Sequence, residues 1–394
     1  MTDPLGQSQV LPYLKGLTEK GYEFHLISFE KDDKFKRHKK HIQSICDESG
    51  IVWHPQDYRN EGGLKKTIRQ VRKMKKVANY LHQKHRFDIV HCRSYISALI
   101  GMKMKQNHGV KFIFDMRGFW ADERIDGGIW NLNNKLYKTI YNYFKRKEIQ
   151  FFNHSDYTIS LTENGKNEIC SWPKIKEDIK IKVIPCCVDL NKFDPKKIDQ
   201  THIDERKLEL GFSSKDYVLG YVGSIGTWYM LDEMMDYFKV LSAKKENTKF
   251  LFVSGESKEK IIAVAKEKGI CENELEVISV LHHEVPLHIS LFDASIFFIR
   301  ATYSKKASSP TKQGEIMAMG VPLVCNSGVG DTDEIVRRYN AGNVINKFNE
   351  EAYASNIIDA STFDTEKIKA GADSYFSLTE GVERYAEVYK SVYA

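Results

Sequence analysis

Two short stretches hold most of the chemistry-bearing residues of this 394-residue chain. In SSPTKQGEIMAMGVPLV, residues 308–324, a proline, a lysine, a lone acid, a glycine and a second proline fall between apolar runs. Ser309 suits a helix N-cap, and Pro310 suits the first helical position, where a missing N–H costs nothing. Gly320 is placed to end that helix and Pro322 to prevent its continuation. The open N–H groups of Thr311, Lys312 and Gln313, beside the Lys312 ammonium, then form an anion site. Thr311 and Glu315 share one face at i, i+4, and Gly314 leaves space beside the acid. Amides for phosphate and one carboxylate for two ribose hydroxyls suit a nucleoside diphosphate. The plainer alternative is a solvated Lys312–Glu315 pair at i, i+3, worth about 0.2–0.5 kcal/mol.

The second stretch, DMRGFWADERIDGG from Asp115, follows the apolar run KFIF and so lies at the carboxyl end of a strand, where open α/β sheets bind ligands. Asp115, Arg117, Trp120, Asp122 and Glu123 combine charge with an aromatic surface suited to a sugar, or else form a structural ion-pair network. Arg93, just after DIVHC, suits an anionic ligand; neighbouring His91 reads as readily as a hydrogen-bonded strand end. His282 and His283 have no third ligand nearby, and no Asp-x-Asp motif stands at a suitable strand end, so no metal is expected.

Strand-like runs at 23–29, 88–92, 111–116, 157–161 and 181–185, then at 217–223, 249–255, 275–280, 294–299 and 322–326, alternate with helix-length segments. That alternation predicts α/β architecture with two parallel, doubly wound sheets, joined by the polar segment 186–204. The chain opens in a loop, Asp3–Ser8, with no strand ahead of it. An apolar strand of roughly 5–10 residues is therefore expected upstream of Asp3.

The length calls for two domains, and 42% hydrophobic with 28% charged residues excludes disorder. No apolar run approaches a membrane span, and the N-terminus lacks a signal-peptide pattern. Seven scattered cysteines read as reduced, in the cytoplasm. The net charge of +6 concentrates at 31–41 and in the helical pattern 64–81. This is either a solvated outer face or a surface for an anionic membrane; no aromatic-interleaved motif points to nucleic acid.

Glu315–Leu323 (EIMAMGVPL) resembles the second half of the signature of retaining family 4 glycosyltransferases. The opening PLGQSQVLPYL, IPCCVDLNKF, GYVGSIGTWYMLDEMM, NSGVGDTDEIV and GVERYAEVYKSVY resemble further segments of that family in order. The resemblance implies a GT-B fold: two Rossmann-like domains facing a cleft, spanning 1–190 and 191–376. A C-terminal helix, 377–394, would cross back to the first. It also implies transfer of a sugar from a nucleotide sugar to a sugar or lipid-linked glycan acceptor, with no separate cofactor. Carried over residue by residue, donor contacts fall on Glu315, Pro310, Thr311, Lys312, Gln313, Gly223, Ser224, Thr227, Gly255 and His283. Acceptor contacts fall on Gly6, Gln7, Arg93, Tyr95, Trp120 and Asp122, and catalytic roles on Arg117, Asp115 and Lys312.

Two departures stand out. Ala307 occupies the position of the family's other glutamate. Thr227, Trp228 and Tyr229 replace its diphosphate-clamping Arg and Lys, whose charge Lys312 is placed to restore. A sugar-nucleotide epimerase and a catalytically silent binding protein are the alternatives left open.

Overall fold

Short apolar strands separated by helices must pair in parallel, because each crossover returns the chain to the same end of the sheet. The computed structural model describes residues 1–58 and 63–393 and divides into two compact units, Met1–Cys187 with Leu378–Ala394, and Val188–Ser377. Every strand pair in both is parallel. The expected α/β fold with two Rossmann-like units is what the chain adopts.

In the first unit, β1 (Phe24–Lys31) pairs with β2 (Ile51–Tyr58). β3 (Ile89–Arg93), β4 (Lys111–Asp115), β5 (Tyr157–Ser160) and β6 (Ile181–Val183) form a separate four-stranded sheet in that order. No strand precedes Phe24 among the described residues. Asp3–Ser8, expected as a loop, lies largely in the short helix Pro4–Gln9, while the next segment forms the helix Leu11–Thr18 in keeping with its helical pattern. The last helix, Leu378–Tyr393, packs in this unit: Val382, Tyr385, Ala386, Tyr389 and Val392 form its apolar face against Tyr13, Leu17, Ile113 and Ile159. Gly16 permits the approach, since a Cβ there would lie 2.7 Å from a Val382 methyl.

The second unit holds one six-stranded sheet ordered β12-β11-β10-β7-β8-β9. Its strands are β7 (Tyr217–Val222), β8 (Thr248–Val253), β9 (Leu275–Ile278), β10 (Ala294–Phe297), β11 (Leu323–Asn326) and β12 (Gly342–Ile345). Strand order reverses between β7 and β10, the switch point at which doubly wound sheets bind ligands. Both β7 and β10 are buried along their whole length.

Two strands were not expected from sequence. β2 carries Pro55, which cannot donate to a ladder and reads as a strand breaker, yet is accommodated because β2 lies at an edge. β12 is four residues long, also at an edge. The segment expected as linker, 186–204, holds the start of the helix Gln200–Glu209. The basic helix runs Gly63–His85, with Val71, Met74 and Ala78 packed inward and Arg69, Arg72, Lys75 and Lys76 exposed. Among the described residues no helix is long and apolar enough to cross a membrane. All seven cysteines are free thiols.

Histidines gather where β1, β2 and the end of the basic helix meet. His25 Nδ1 lies 2.9 Å from His54 Nε2, and the His25 and His85 rings are 4.1 Å apart. Burial, then His85 and His54, lower the His25 pKa from the usual 6.5, against the opposite pull of Glu23. Burial, then His85 and Lys84, lower that of His54. The unfolded chain therefore takes up protons first as the pH falls below 6.5, and stability is lost from there toward the lower folded values. Melting temperature is predicted to fall between pH 7.5 and pH 5, and His54→Gln to flatten that fall; a pH-independent melting temperature would contradict the assignment.

Candidate functional site

In the second unit the helix Thr311–Ala318 follows β10, and the loop containing Gly223 follows β7, so both stand at the switch point. The helix begins one residue later than expected. Pro310 is the N-cap, with ψ of 118°, and no side chain caps the helix. The Gln313 N–H donates to the Pro310 carbonyl at 3.1 Å, so of the three amides expected to bind an anion it is already engaged. Those of Thr311 and Lys312 stay available at the positive end of the helix. The Gln313 side chain, fully buried, donates to the Thr332 carbonyl at 3.0 Å and is structural.

Lys312 does not make the solvated pair with Glu315 that was the plainer alternative. Its Nζ is buried without a hydrogen-bond partner, 3.6 Å from the Tyr229 ring centroid and 3.9 Å from that of Tyr221. A Cβ on Gly223 would come within 3.3 Å of that nitrogen, and φ there is 103°, a conformation that favours glycine. Burial pushes the Lys312 pKa well below the usual lysine range, while the nearby Glu315 charge works the other way. The two ring faces also favour the charged form. An anion arriving here would meet a Lys312 nitrogen with no hydrogen-bond partner and would favour its charged form.

Glu315 is 8% exposed, and its Oε1 lies 3.3 Å from His282 Nε2. His282 Nδ1 in turn lies 2.6 Å from Lys192 Nζ. The histidine beside the acid is thus His282, whereas His283, expected at the donor, is exposed. Gly314 abuts Phe376, with a Cβ position 3.1 Å from the ring, so its missing side chain serves helix packing rather than space beside Glu315. Ser224, Thr227 and Gly255 are exposed just beyond the carboxyl ends of β7 and β8. Ala307 is fully buried in the 3-10 turn Tyr303–Ala307.

In the first unit, β4 ends on Asp115, 1% exposed. Arg93 Nη1 and His91 Nε2 each lie 3.5 Å from its Oδ2, Arg117 Nη1 lies 3.7 Å from its Oδ1, and the Tyr385 hydroxyl donates to Oδ2 at 3.1 Å. His91 Nδ1 is 2.7 Å from the Tyr389 hydroxyl, and Arg117 Nη2 donates to Cys186 Sγ at 3.3 Å. Burial alone would raise the Asp115 pKa; Arg117, His91 and Arg93 outweigh it and hold the carboxyl well below the usual range. Arg93, Asp115 and Arg117 are therefore brought together in one ion-pair cluster, the arrangement given above as the alternative to a sugar site for Asp115 and Arg117.

The remaining acceptor expectations are not gathered with them. Tyr95 is fully buried, bonded to Glu148 and stacked on Trp120 with centroids 5.8 Å apart. Burial pushes Glu148 up to about 7. Asp122 accepts from Tyr141 at 2.8 Å and Lys145 at 2.7 Å, which ties the helix Trp120–Asp126 to the helix Lys135–His154. These three side chains serve packing. Gly6 and Gln7 lie on the helix Pro4–Gln9, where a Cβ on Gly6 would fall 2.7 Å from Met1 Cα and Gln7 donates to the Thr2 carbonyl at 3.4 Å.

Sequence reading passed over Tyr221, the packing of Tyr229 on Lys312, His282 beside Glu315, and Tyr385 and Tyr389. The last two carried a signal, aromatic spacing of i, i+4 on an amphipathic helix; the others meet their partners only through the fold. Among the described residues no three His, Cys, Asp or Glu side chains stand together to hold a metal ion. Removing one partner of a buried ion pair strands the other, at a cost of about 3–5 kcal/mol. Asp115→Ala is predicted to lose that much stability in urea unfolding; loss within error of zero would mean the cluster is solvated.

Residues 7–192 match the family model for Glycosyltransferase Family 4, and residues 202–368 match that for Glycosyl transferases group 1. No curated protein matches the chain in sequence. Among solved structures it resembles a glycosyltransferase from Rickettsia africae, with a TM-score of 0.70 at 16% identity, covering 99% of this chain and 96% of that one. It also resembles Anabaena HepE in complex with UDP and glucose, with a TM-score of 0.71 at 14% identity, covering 99% and 97%. A third likeness is to WaaG, a glycosyltransferase involved in lipopolysaccharide biosynthesis, with a TM-score of 0.59 at 14% identity, covering 93% and 94%. At such identities the structures speak for the fold, and the two family matches, which leave little of the chain uncovered, for the rest: the chain belongs to the GT-B glycosyltransferases of families 4 and group 1.

Proposed function

We propose that the protein transfers a hexosyl group from a nucleoside diphosphate donor to an acceptor hydroxyl with retention of configuration and without a metal ion. The observation that carries this reading is the buried, partnerless Lys312 ammonium at the start of the helix that bears Glu315. A diphosphate fits it, because such a ligand supplies the charge and the acceptor oxygens that Lys312 and the Thr311 and Lys312 amides lack. Glu315 would accept from the ribose hydroxyls in place of His282. HepE, which shares the fold, is recorded with UDP and with glucose, which supports a uridine donor as the first to test.

As the bond from the anomeric carbon to the diphosphate oxygen breaks, negative charge grows on the leaving phosphate. Donors already aimed there stabilise it with no reorganisation. The acceptor oxygen bonds to the same carbon from the same face, and its proton passes to the departing phosphate. No protein nucleophile is needed.

The setting we infer is surface polysaccharide or glycolipid synthesis in the cytoplasm, at the inner membrane face. The exposed Arg69, Arg72, Lys75 and Lys76 of the helix Gly63–His85 would meet anionic lipid. The role of WaaG in lipopolysaccharide biosynthesis is in keeping with that setting.

Calorimetry with UDP tests the donor site. Glu315→Ala is predicted to weaken UDP by about tenfold, the loss of roughly 1.4 kcal/mol of charge-assisted hydrogen bonding. Unchanged affinity would remove Glu315 from the site, and UDP release from a UDP-sugar without any acceptor would favour an epimerase.

A further inference from the structure

The cluster at the ends of β3 and β4 is electrically incomplete and leaves polar atoms unmatched. Two guanidiniums, Arg93 and Arg117, face a single carboxylate, Asp115, at 3.5 and 3.7 Å, longer than the 2.7–2.9 Å of a charge-assisted hydrogen bond. Arg93 donates no hydrogen bond among the described residues, and its side chain is 32% exposed. Asp115 Oδ1 and His91 Nε2 are both buried with no hydrogen-bond partner. Native interiors leave few such atoms unmatched, and these two belong to neighbouring side chains.

The backbone at the same place is unusual. Ser94, directly after β3, has φ of 73°, and Arg117, two residues after β4, has φ of 57°. Neither is glycine. Left-handed backbone at non-glycine residues is held only where the surroundings fix it, and it gathers at ligand sites. Both lie at the carboxyl ends of adjacent parallel strands.

The chemistry of the missing partner follows. It must bring negative charge, to match the surplus guanidinium. It must also bring a hydrogen-bond donor, because a bare anion would leave Asp115 Oδ1 unmatched and repel it. A hydroxyl-bearing anion meets both needs. We propose that this site binds an acceptor sugar carrying a phosphate or carboxylate, with Arg93 and Arg117 on the anionic group and Asp115 on a neighbouring hydroxyl. This rests on the reading that the chain transfers a glycosyl group to an acceptor, and it narrows that acceptor to an acidic sugar.

The test is calorimetry on the full chain, with and without saturating UDP, using a hexose 1-phosphate, a hexuronic acid and the neutral hexose as probes. The two charged sugars are expected to bind about tenfold or more tightly than the neutral one, whichever of them binds better naming the anionic group. Arg93→Gln is expected to abolish that preference while leaving UDP affinity unchanged, with a lower melting temperature from the weaker hold on Asp115, and Arg93→Lys to restore part of both. Equal binding of charged and neutral sugars, or a preference that survives Arg93→Gln, overturns the proposal. Should UDP fail to bind while the Arg93-dependent preference persists, the donor reading falls and this one stands.

Discussion

Parallel strands joined by crossovers all end on the same side of their sheet, and that single constraint decides where this chain can do chemistry. In the second unit it sets the Gly223 loop after β7 and the helix Thr311–Ala318 after β10 side by side, with the sheet order reversing between them. In the first it sets Arg93 at the end of β3 in register with Asp115 at the end of β4. Neither cluster is made by neighbours in sequence. Each is made by two strands that the hydrophobic core forces to lie in parallel.

The two clusters share a second property. Each retains a charge that the folded protein does not fully match: the Lys312 ammonium between two tyrosine rings, and the surplus guanidinium around Asp115. Burying such charges costs stability unless a partner arrives. Elsewhere the same residue types are paired closely: Asp122 with Tyr141 and Lys145, and Asp293 with the backbone of Val218 at 2.8 Å. Charged residues and single unmatched polar atoms occur in the scaffold too, as at Gln313; what marks the two clusters is an unmatched charge together with such an atom.

Much of this was legible from the chain alone. The strand runs were clear because both faces of a parallel sheet are buried and read as unbroken apolar segments. The helix around Glu315 was clear from its Pro and Gly punctuation, although its cap moved to Pro310. Edge strands were not: β2 tolerates Pro55 only because one side of it is unpaired, a fact of topology rather than of local sequence. Within the sites, DMRGFWADE offered five plausible ligand contacts, yet Trp120 and Asp122 turn inward onto the helix Lys135–His154 while Arg117 turns to Asp115. Composition names candidates for chemistry; the direction each side chain takes depends on partners far away in sequence, such as Tyr385.

The central claim is that the partnerless Lys312 awaits a diphosphate. Comparing UDP with uridine in the wild-type chain and in Lys312→Met tests it most directly, because the methionine keeps the buried stem and removes only the charge. The account predicts that wild type binds UDP about a hundredfold or more tightly than uridine, and that Lys312→Met erases most of that difference while uridine binding holds. An undiminished preference for UDP in Lys312→Met would contradict it.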